Sequence, residues 1–539
     1  MPLRRDHHAG VLARIACAAG LTVLFGSALT ACAQTSVTTQ HNDNYRTGWN
    51  ASESVLTPAN VNPTQFGLLA TTVVDDQVDA QPLIIPGVHI TAGNNQGQHD
   101  VAYIATENNT VYAIDANAGT VLLSQNLGTP VTWPLSCNNN GPHVGIDSTP
   151  VVDVAGNTLY VIAYTRDTTG PAYRLHALDL GNLTDKVAAQ LITAANTLSD
   201  GTTYAFNATY QRQRSSLMLA NGNIYAGFAS FCDYGAQFSR GWLLGWNAVT
   251  LAPLSANRLN DTQATSPDNF FLSSIWMSGN GVAADDEGNI VFVTGNSDYS
   301  GTTYDGVTNI QESVVKVSAD LTTVLDLFTP SNQATLDQGD TDFGSGGVMI
   351  LPDQAGSAPH LAVAAGKFGT MFLMNEDKLG GYSTIKDRVL GEYNIGNCWC
   401  SESYFVDPSD GMARVVSSGG NTVEVRKLQT SPRPTLTGVA RSPALPSGQN
   451  PGFFTSVSSN GNSNPIIWAL TRPVSPTNIL NLFAFNPEAG SNMKPLLRIA
   501  AGNWPYVQGD SNQVPVVANG KVYVASYKGV KIFGLKTKK

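Results

Sequence analysis

The chain of 539 residues is poor in charge, since only 13% of its residues are Asp, Glu, Lys or Arg. Its formal net charge is −10, and its one basic run is the terminal Lys536-Thr537-Lys538-Lys539. Neutralising a phosphate backbone takes clustered Lys and Arg, so nucleic acid is not an expected partner. No C-x-x-C-H occurs, which argues against a c-type haem on this chain. The G-x-S-x-G, H-E-x-x-H and Walker patterns are absent too, and the nucleophile, zinc and nucleotide chemistries they serve lose their usual signatures. Beyond the N-terminal region no apolar run approaches the roughly 20 residues that cross a bilayer.

That N-terminal region is distinctive. Arg4, Arg5 and Arg14 precede an apolar run from Ile15 to Leu29 that ends in small residues, the form of an export signal. Leu29-Thr30-Ala31-Cys32 has the shape of a lipoprotein box and predicts lipidation of Cys32, while Ala31-Cys32-Ala33 fits ordinary signal peptidase. Residues 1–33 are therefore expected to be a leader and 34–539 the mature chain. The expected setting is the periplasm, the outer membrane as a lipoprotein, or the exterior, with any lipid as the sole membrane attachment. Four cysteines then remain, Cys137, Cys232, Cys398 and Cys400. An oxidising compartment favours disulfides among them. Cys398 and Cys400 could bridge across Trp399, or each could reach Cys137 or Cys232. A metal pair is disfavoured, because no Cys or His stands near at zinc spacing.

The main signal is an internal repeat: an apolar strand, a polar turn, a second strand ending in an acidic or Asn turn, then a short run outward. Its clearest copy runs from Val101 to Leu123, VAYIATENNTVYAIDANAGTVLL, with a hairpin turn at Asn108-Asn109 and another from Asp115 to Gly119. Equivalent starts fall at Tyr160, Tyr225, Phe292, Val363, Val415, Ile467 and Tyr523, separated by about 52 to about 71 residues. Eight starts at the spacing of four-stranded blades predict an all-β, eight-bladed β-propeller forming one domain from 34 to 539. Sandwich sheets would alternate in the same way, but they lack a hairpin and acidic turn repeated at one period. The segment VTTQHND, Val37 to Asp43, is the expected partner of the last blade at ring closure. The Pro- and Ser-rich stretch from Ser431 to Pro451 is expected to be a long loop.

The repeat VYAIDANAGTVL resembles that of the pyrroloquinoline quinone (PQQ) dehydrogenases, and of the non-catalytic outer-membrane assembly scaffolds that share their fold. This likeness covers nearly the whole mature chain, and by itself it implies fold rather than function. SSIWMSGNGVAADDEGNIVFVTGNSDYS, from Ser273 to Ser300, is similar to the family stretch that carries the Trp on which PQQ stacks and an Asn that binds calcium. Those would be Trp276 and Asn296. In QGDTDFGSGGVMIL, Asp342 matches the general base and calcium ligand, and in VAAGKFGTMFLMNED, Lys367 matches the cation that hydrogen-bonds the quinone. The resemblance thus implies PQQ, calcium and a small alcohol or sugar as substrate. The scaffold relatives imply instead a protein or polysaccharide partner.

Three departures stand against the cofactor reading. Where the family supplies a glutamate to calcium shortly before Arg-Gly, this chain has Ala236 or Gln237 ahead of Arg240-Gly241. Asp233 is the nearest carboxylate, and it could serve only on a rebuilt loop. The family's capping vicinal disulfide has no counterpart, and the tryptophan-docking repeats are degenerate, with LLSQNLG where a Trp often stands. Other polar clusters are His41, Asp43 and Arg46, expected chiefly to pin the terminus, then His143 with Asp147, and Arg212 with Arg214 near the same mouth.

Overall fold

Each repeat start lies in one antiparallel sheet of the structure, a computed structural model that describes residues 34–139, 141–506 and 508–537. The expected leader with Cys32, and Lys538 and Lys539, lie outside the described residues. In the first blade, strands Leu83–Ile90, Gly97–Ala105, Thr110–Asp115 and Val121–Asn126 pair in chain order. Asn109, with φ 58°, turns the central hairpin, a left-handed position that Asn tolerates better than most residues. Seven further sheets follow, their first strands at Val151–Asp153, Met218–Ala220, Ala283–Ala284, Val348–Leu351, Ser403–Val406, Thr455–Asn460 and Val516–Ala518. The fold is an all-β, eight-bladed propeller.

Two expectations need correction. The stretch from Ser431 to Pro451 is not all loop: Thr435–Arg441 is the outer strand of the sixth blade, paired antiparallel with Glu424–Gln429 across one bulge. The ring is closed not by Val37–Asp43 but by Phe66–Gln77, which pairs antiparallel with Lys521–Leu535 and becomes the outer strand of the last blade. The closing strand had to satisfy a long free edge. With its buried Phe66 and Val74 it supplies an apolar face for that edge, which the Thr- and Asn-rich segment does not.

The segment from Val37 to Asn50 does something else. It passes the first strands of the blades in order and exchanges at least one hydrogen bond with each. Val37 N–H donates to Ile84 O, Val152 N–H to Thr38 O, Asn44 Nδ2 to Leu219 O, and Ala284 N–H to Asn44 O. Ile350 N–H donates to Tyr45 O, Tyr404 N–H to Thr47 O, Val457 N–H to Gly48 O, and Asn50 Nδ2 to Val517 O. Arg46, fully buried, fixes the turn by donating to Thr39 Oγ1, Gln40 O and Val282 O. His41 and Arg46 have φ of 56° and 65°, a strained backbone that lasts because so many bonds determine it. At Gly48 a Cβ would stand 2.5 Å from His41 Nε2, so no larger residue fits. His41, Asp43 and Arg46 therefore pin the terminus, as a belt around the centre of the ring.

Neighbouring blades are held face to face by apolar clusters and by a repeated tyrosine. The hydroxyls of Tyr103, Tyr160, Tyr225 and Tyr523, all repeat starts, donate to the carbonyls of Leu180, Ala248, Ala319 and Ala116 in the next blade. The one α-helix among the described residues, Gln333–Gly339, leads into the fifth blade. No helix among them is long and apolar enough to cross a membrane.

Candidate functional site

A cavity of about 190 Å³ is lined by residues from the segments that enter the first strands of seven consecutive blades, with Asn139 coming from the second. Arg212 and Arg214 come from the third, Trp276 from the fourth, Asp340 and Asp342 from the fifth, Trp399 from the sixth, Asn450 from the seventh and Asp510 from the eighth. That arrangement places the cavity over the centre of the ring. Lys367, from the hairpin of the fifth blade, and Asp233, from the third, complete it.

Asp342 is 3% exposed and holds two partners. The Trp276 indole Nε1 donates to Oδ2 at 3.0 Å and Lys367 Nζ to Oδ1 at 3.1 Å. Lys367 also donates to Asp340 Oδ1 at 3.1 Å and to its carbonyl at 3.2 Å, while Asn296 Nδ2 donates to the same Asp340 carboxylate at 3.1 Å. Burial alone would lower the Lys367 pKa, but Asp342 and Asp340 outweigh it and raise it, so the ammonium is held charged. Trp276, Asn296, Asp342 and Lys367 thus form one connected network. The bond from Trp276 to Asp342 passes over Gly295, where a Cβ would lie 3.0 Å from Asp342 Oδ2 and 3.1 Å from the indole nitrogen.

Asp233 enters the cavity on the loop as it stands, with φ 55° and its carboxylate accepting from Ser230 Oγ at 2.5 Å. Burial first and the Asp342 carboxylate second push its pKa up to about 6. Ala236 and Gln237, at the place of the family glutamate, face a different depression. Of the second-rank residues, Arg212 and Arg214 line the cavity, and Asp147 orients Arg212 through an ion pair at 2.5 Å. Arg212 Nη2 has no partner. His143 is not among the lining residues and pairs with Asp76 at 2.6 Å.

Sequence reasoning missed two features. Trp399 lines the cavity together with Trp276, and Lys367 Nζ lies 5.5 Å from the ring centre of Trp276 and 5.8 Å from that of Trp399. Cys398 and Cys400 are bridged to each other, which fixes Trp399 between them, and Cys137 is bridged to Cys232. The Cys-Trp-Cys sequence was the available signal. Glu312, fully buried, accepts the Phe343 N–H directly beside Asp342, and burial followed by Asp342 and Asp337 raises its pKa. Nothing in its sequence neighbourhood marks it.

The chain superposes on a quinohemoprotein alcohol dehydrogenase from Comamonas testosteroni with a TM-score of 0.58 at 13% identity, covering 94% of this chain and 82% of that one. The fold is that of the quinoprotein alcohol dehydrogenases. The quinohemoprotein alcohol dehydrogenase ADHIIG from Pseudomonas putida HK5 matches at 0.56 with 12% identity, over 94% and 81% of the two chains. A europium-containing methanol dehydrogenase matches at 0.59 with 10% identity, over 93% and 98%. No family model and no curated protein matches the sequence. At such identities the quinoprotein likeness is one of architecture, and function rests on the site.

Proposed function

We propose that the protein is an exported oxidoreductase that binds PQQ with a hard cation in the central cavity and oxidises an alcohol or sugar. The observation that carries this reading is the joined set of Trp276, Asn296, Asp342 and Lys367, drawn from two blades into one network at the centre of the ring. The donor set fits the group. Arg212 and Arg214, with an unpartnered guanidinium nitrogen, suit a polycarboxylate, and the indoles of Trp276 and Trp399 suit a flat aromatic system. Asn296, Asp342, Asp340 and Asp233 carry oxygen donors of the kind a hard cation takes, although the three carboxylates do not converge on one point as they stand. When bound, the quinone supplies an electrophilic carbonyl and accepts two electrons from the substrate.

The chain's own residues do the rest. Asp342, buried and anchored by Trp276, takes the substrate hydroxyl proton on its carboxylate. Lys367 presents its charge where negative charge grows. Electrons leave to a separate acceptor. The test is reconstitution of the purified chain with PQQ and calcium or a trivalent lanthanide, followed by quinone absorbance and dye reduction with alcohols and sugars. Failure to take up PQQ at micromolar levels would sink the proposal. With PQQ bound, Asp342→Asn should abolish turnover and leave cofactor uptake largely intact.

One observation favours a non-catalytic scaffold instead: Lys367 already compensates Asp340 and Asp342 without a cation. On that reading the quinone is refused and a specific protein or polysaccharide is retained in pull-down.

A further inference from the structure

The loop after Cys232 is a wall between two depressions. Cys232 lines the central cavity, Asp233 lines both, and Tyr234 to Phe238 line the second, which has a volume of about 940 Å³. Its opposite side is built by Asp268, Asn269 and Phe270. The bridge from Cys137 to Cys232 anchors the wall.

The composition of this trough is unusual for the molecule. Among the described residues four aromatic side chains count as exposed large hydrophobics: Trp133, Tyr234, Phe238 and Tyr299. Two of them line the trough, and Tyr299 stands edge-on against the lining Phe270, with ring centres 5.8 Å apart. Tyr234 is 52% and Phe238 49% exposed, so each leaves much of its ring in water, where apolar area is costly to hold. Gln237, Asp268 and Asn269 bring planar polar groups to the same lining. No Lys or Arg lines the trough, and neither does any Leu, Ile, Val or Met.

Each absence removes a class of ligand. Without cations the trough has nothing to neutralise phosphate, sulfate or carboxylate groups. Without branched aliphatic side chains it offers no bed for acyl chains. Half-exposed aromatic rings that share one lining with amide and carboxylate groups match one chemistry best. The C–H face of a pyranose lies on an aromatic ring while its equatorial hydroxyls reach planar donors and acceptors at the edge.

We propose that this trough binds a neutral carbohydrate chain and that the end of the chain passes Asp233 into the central cavity. The first part stands on the trough alone. The second rests on the oxidoreductase reading and gives it a substrate class, the terminal unit of a saccharide rather than a small free alcohol.

The experiment uses the purified chain without quinone, titrated by calorimetry with cellohexaose, maltohexaose, xylohexaose and chitohexaose, and with dodecyl maltoside as an aliphatic control. At least one hexaose should bind saturably. Tyr234→Ala and Phe238→Ala should each weaken it about tenfold or more, Tyr234→Trp should retain it, and circular dichroism should stay unchanged. Binding of none of the hexaoses would overturn the proposal, as would equal affinity in the alanine variants, or a detergent response governed by its alkyl chain alone. PQQ titration of the same preparations separates the two readings. Quinone uptake without saccharide binding overturns this inference alone, and saccharide binding without quinone uptake overturns the oxidoreductase and leaves the trough standing.

Discussion

Lys367 and Glu402 show two ways of keeping an ionisable group out of water. Lys367 is surrounded by Asp340 and Asp342 and stays charged. Glu402 is fully buried, neither carboxyl oxygen has a partner, and burial pushes its pKa up to about 8. Its folded pKa therefore lies above the unfolded value near 4.3. The folded state favours the protonated form, so stability is greatest in acid and falls as pH rises from about 4.3 towards about 8. Glu402→Gln should raise the melting temperature at pH 8 by clearly more than at pH 5, in paired thermal scans. A pH-independent difference would show that the Glu402 pKa is not raised on folding. Gly295→Ala is expected to break the bond between Trp276 and Asp342, because its Cβ would crowd both atoms. The readout is Trp fluorescence together with PQQ uptake. These residues differ in legibility for a physical reason. Trp276, Asn296, Asp342 and Lys367 each sit in a short local pattern with a fixed order, and order survives in sequence. Trp399 and Glu312 acquire their places through contacts across blades or between loops, which no local pattern encodes.

At the scale of the blade, the tyrosine that opens a repeat is also the fastening to the next blade. Tyr160 joins the second blade to Ala248 of the third at 2.9 Å, and its ring is buried in the interface. Tyr160→Phe keeps the ring and strands that carbonyl, for an expected loss of about 1 kcal/mol in urea unfolding. The repeats were legible because strand alternation and the Asn or Asp turn recur blade by blade. The strand at Thr435–Arg441 was hidden by the prolines around it, which mark loops but also tolerate edge strands. The closing strand was hidden because its partner lies more than four hundred residues away. The belt was hidden for a different reason. It bonds largely through backbone groups, which every residue carries, and only the polar cluster of His41, Asp43 and Arg46 advertises it. Arg46→Ala removes five hydrogen bonds from a fully buried turn and should cost at least about 3 kcal/mol.

For the whole molecule, closure and cross-linking set stability. The described residues from Thr35 onward form one compact unit, so heat or urea should unfold the ring in one cooperative step. Replacing Cys137 and Cys232 by Ser opens a loop of 95 residues and should lower stability by about 4 kcal/mol, with the transition remaining single. Two separate transitions would mean that the blades unfold in groups.

The belt has one more consequence, and it concerns time. The segment that touches every blade is the first of the described residues to be synthesised, yet its partners are spread from Ile84 to Val517. It behaves as a gauge of completeness: a chain lacking even its last blade leaves Asn50 without its carbonyl and Phe66–Gln77 without a strand to join. Folding must then wait for the end of the polypeptide, and contacts of such long sequence separation form slowly. A ring closed in this way has no early fragment to rest in, and a truncated product is left open to proteolysis instead of passing as a smaller propeller.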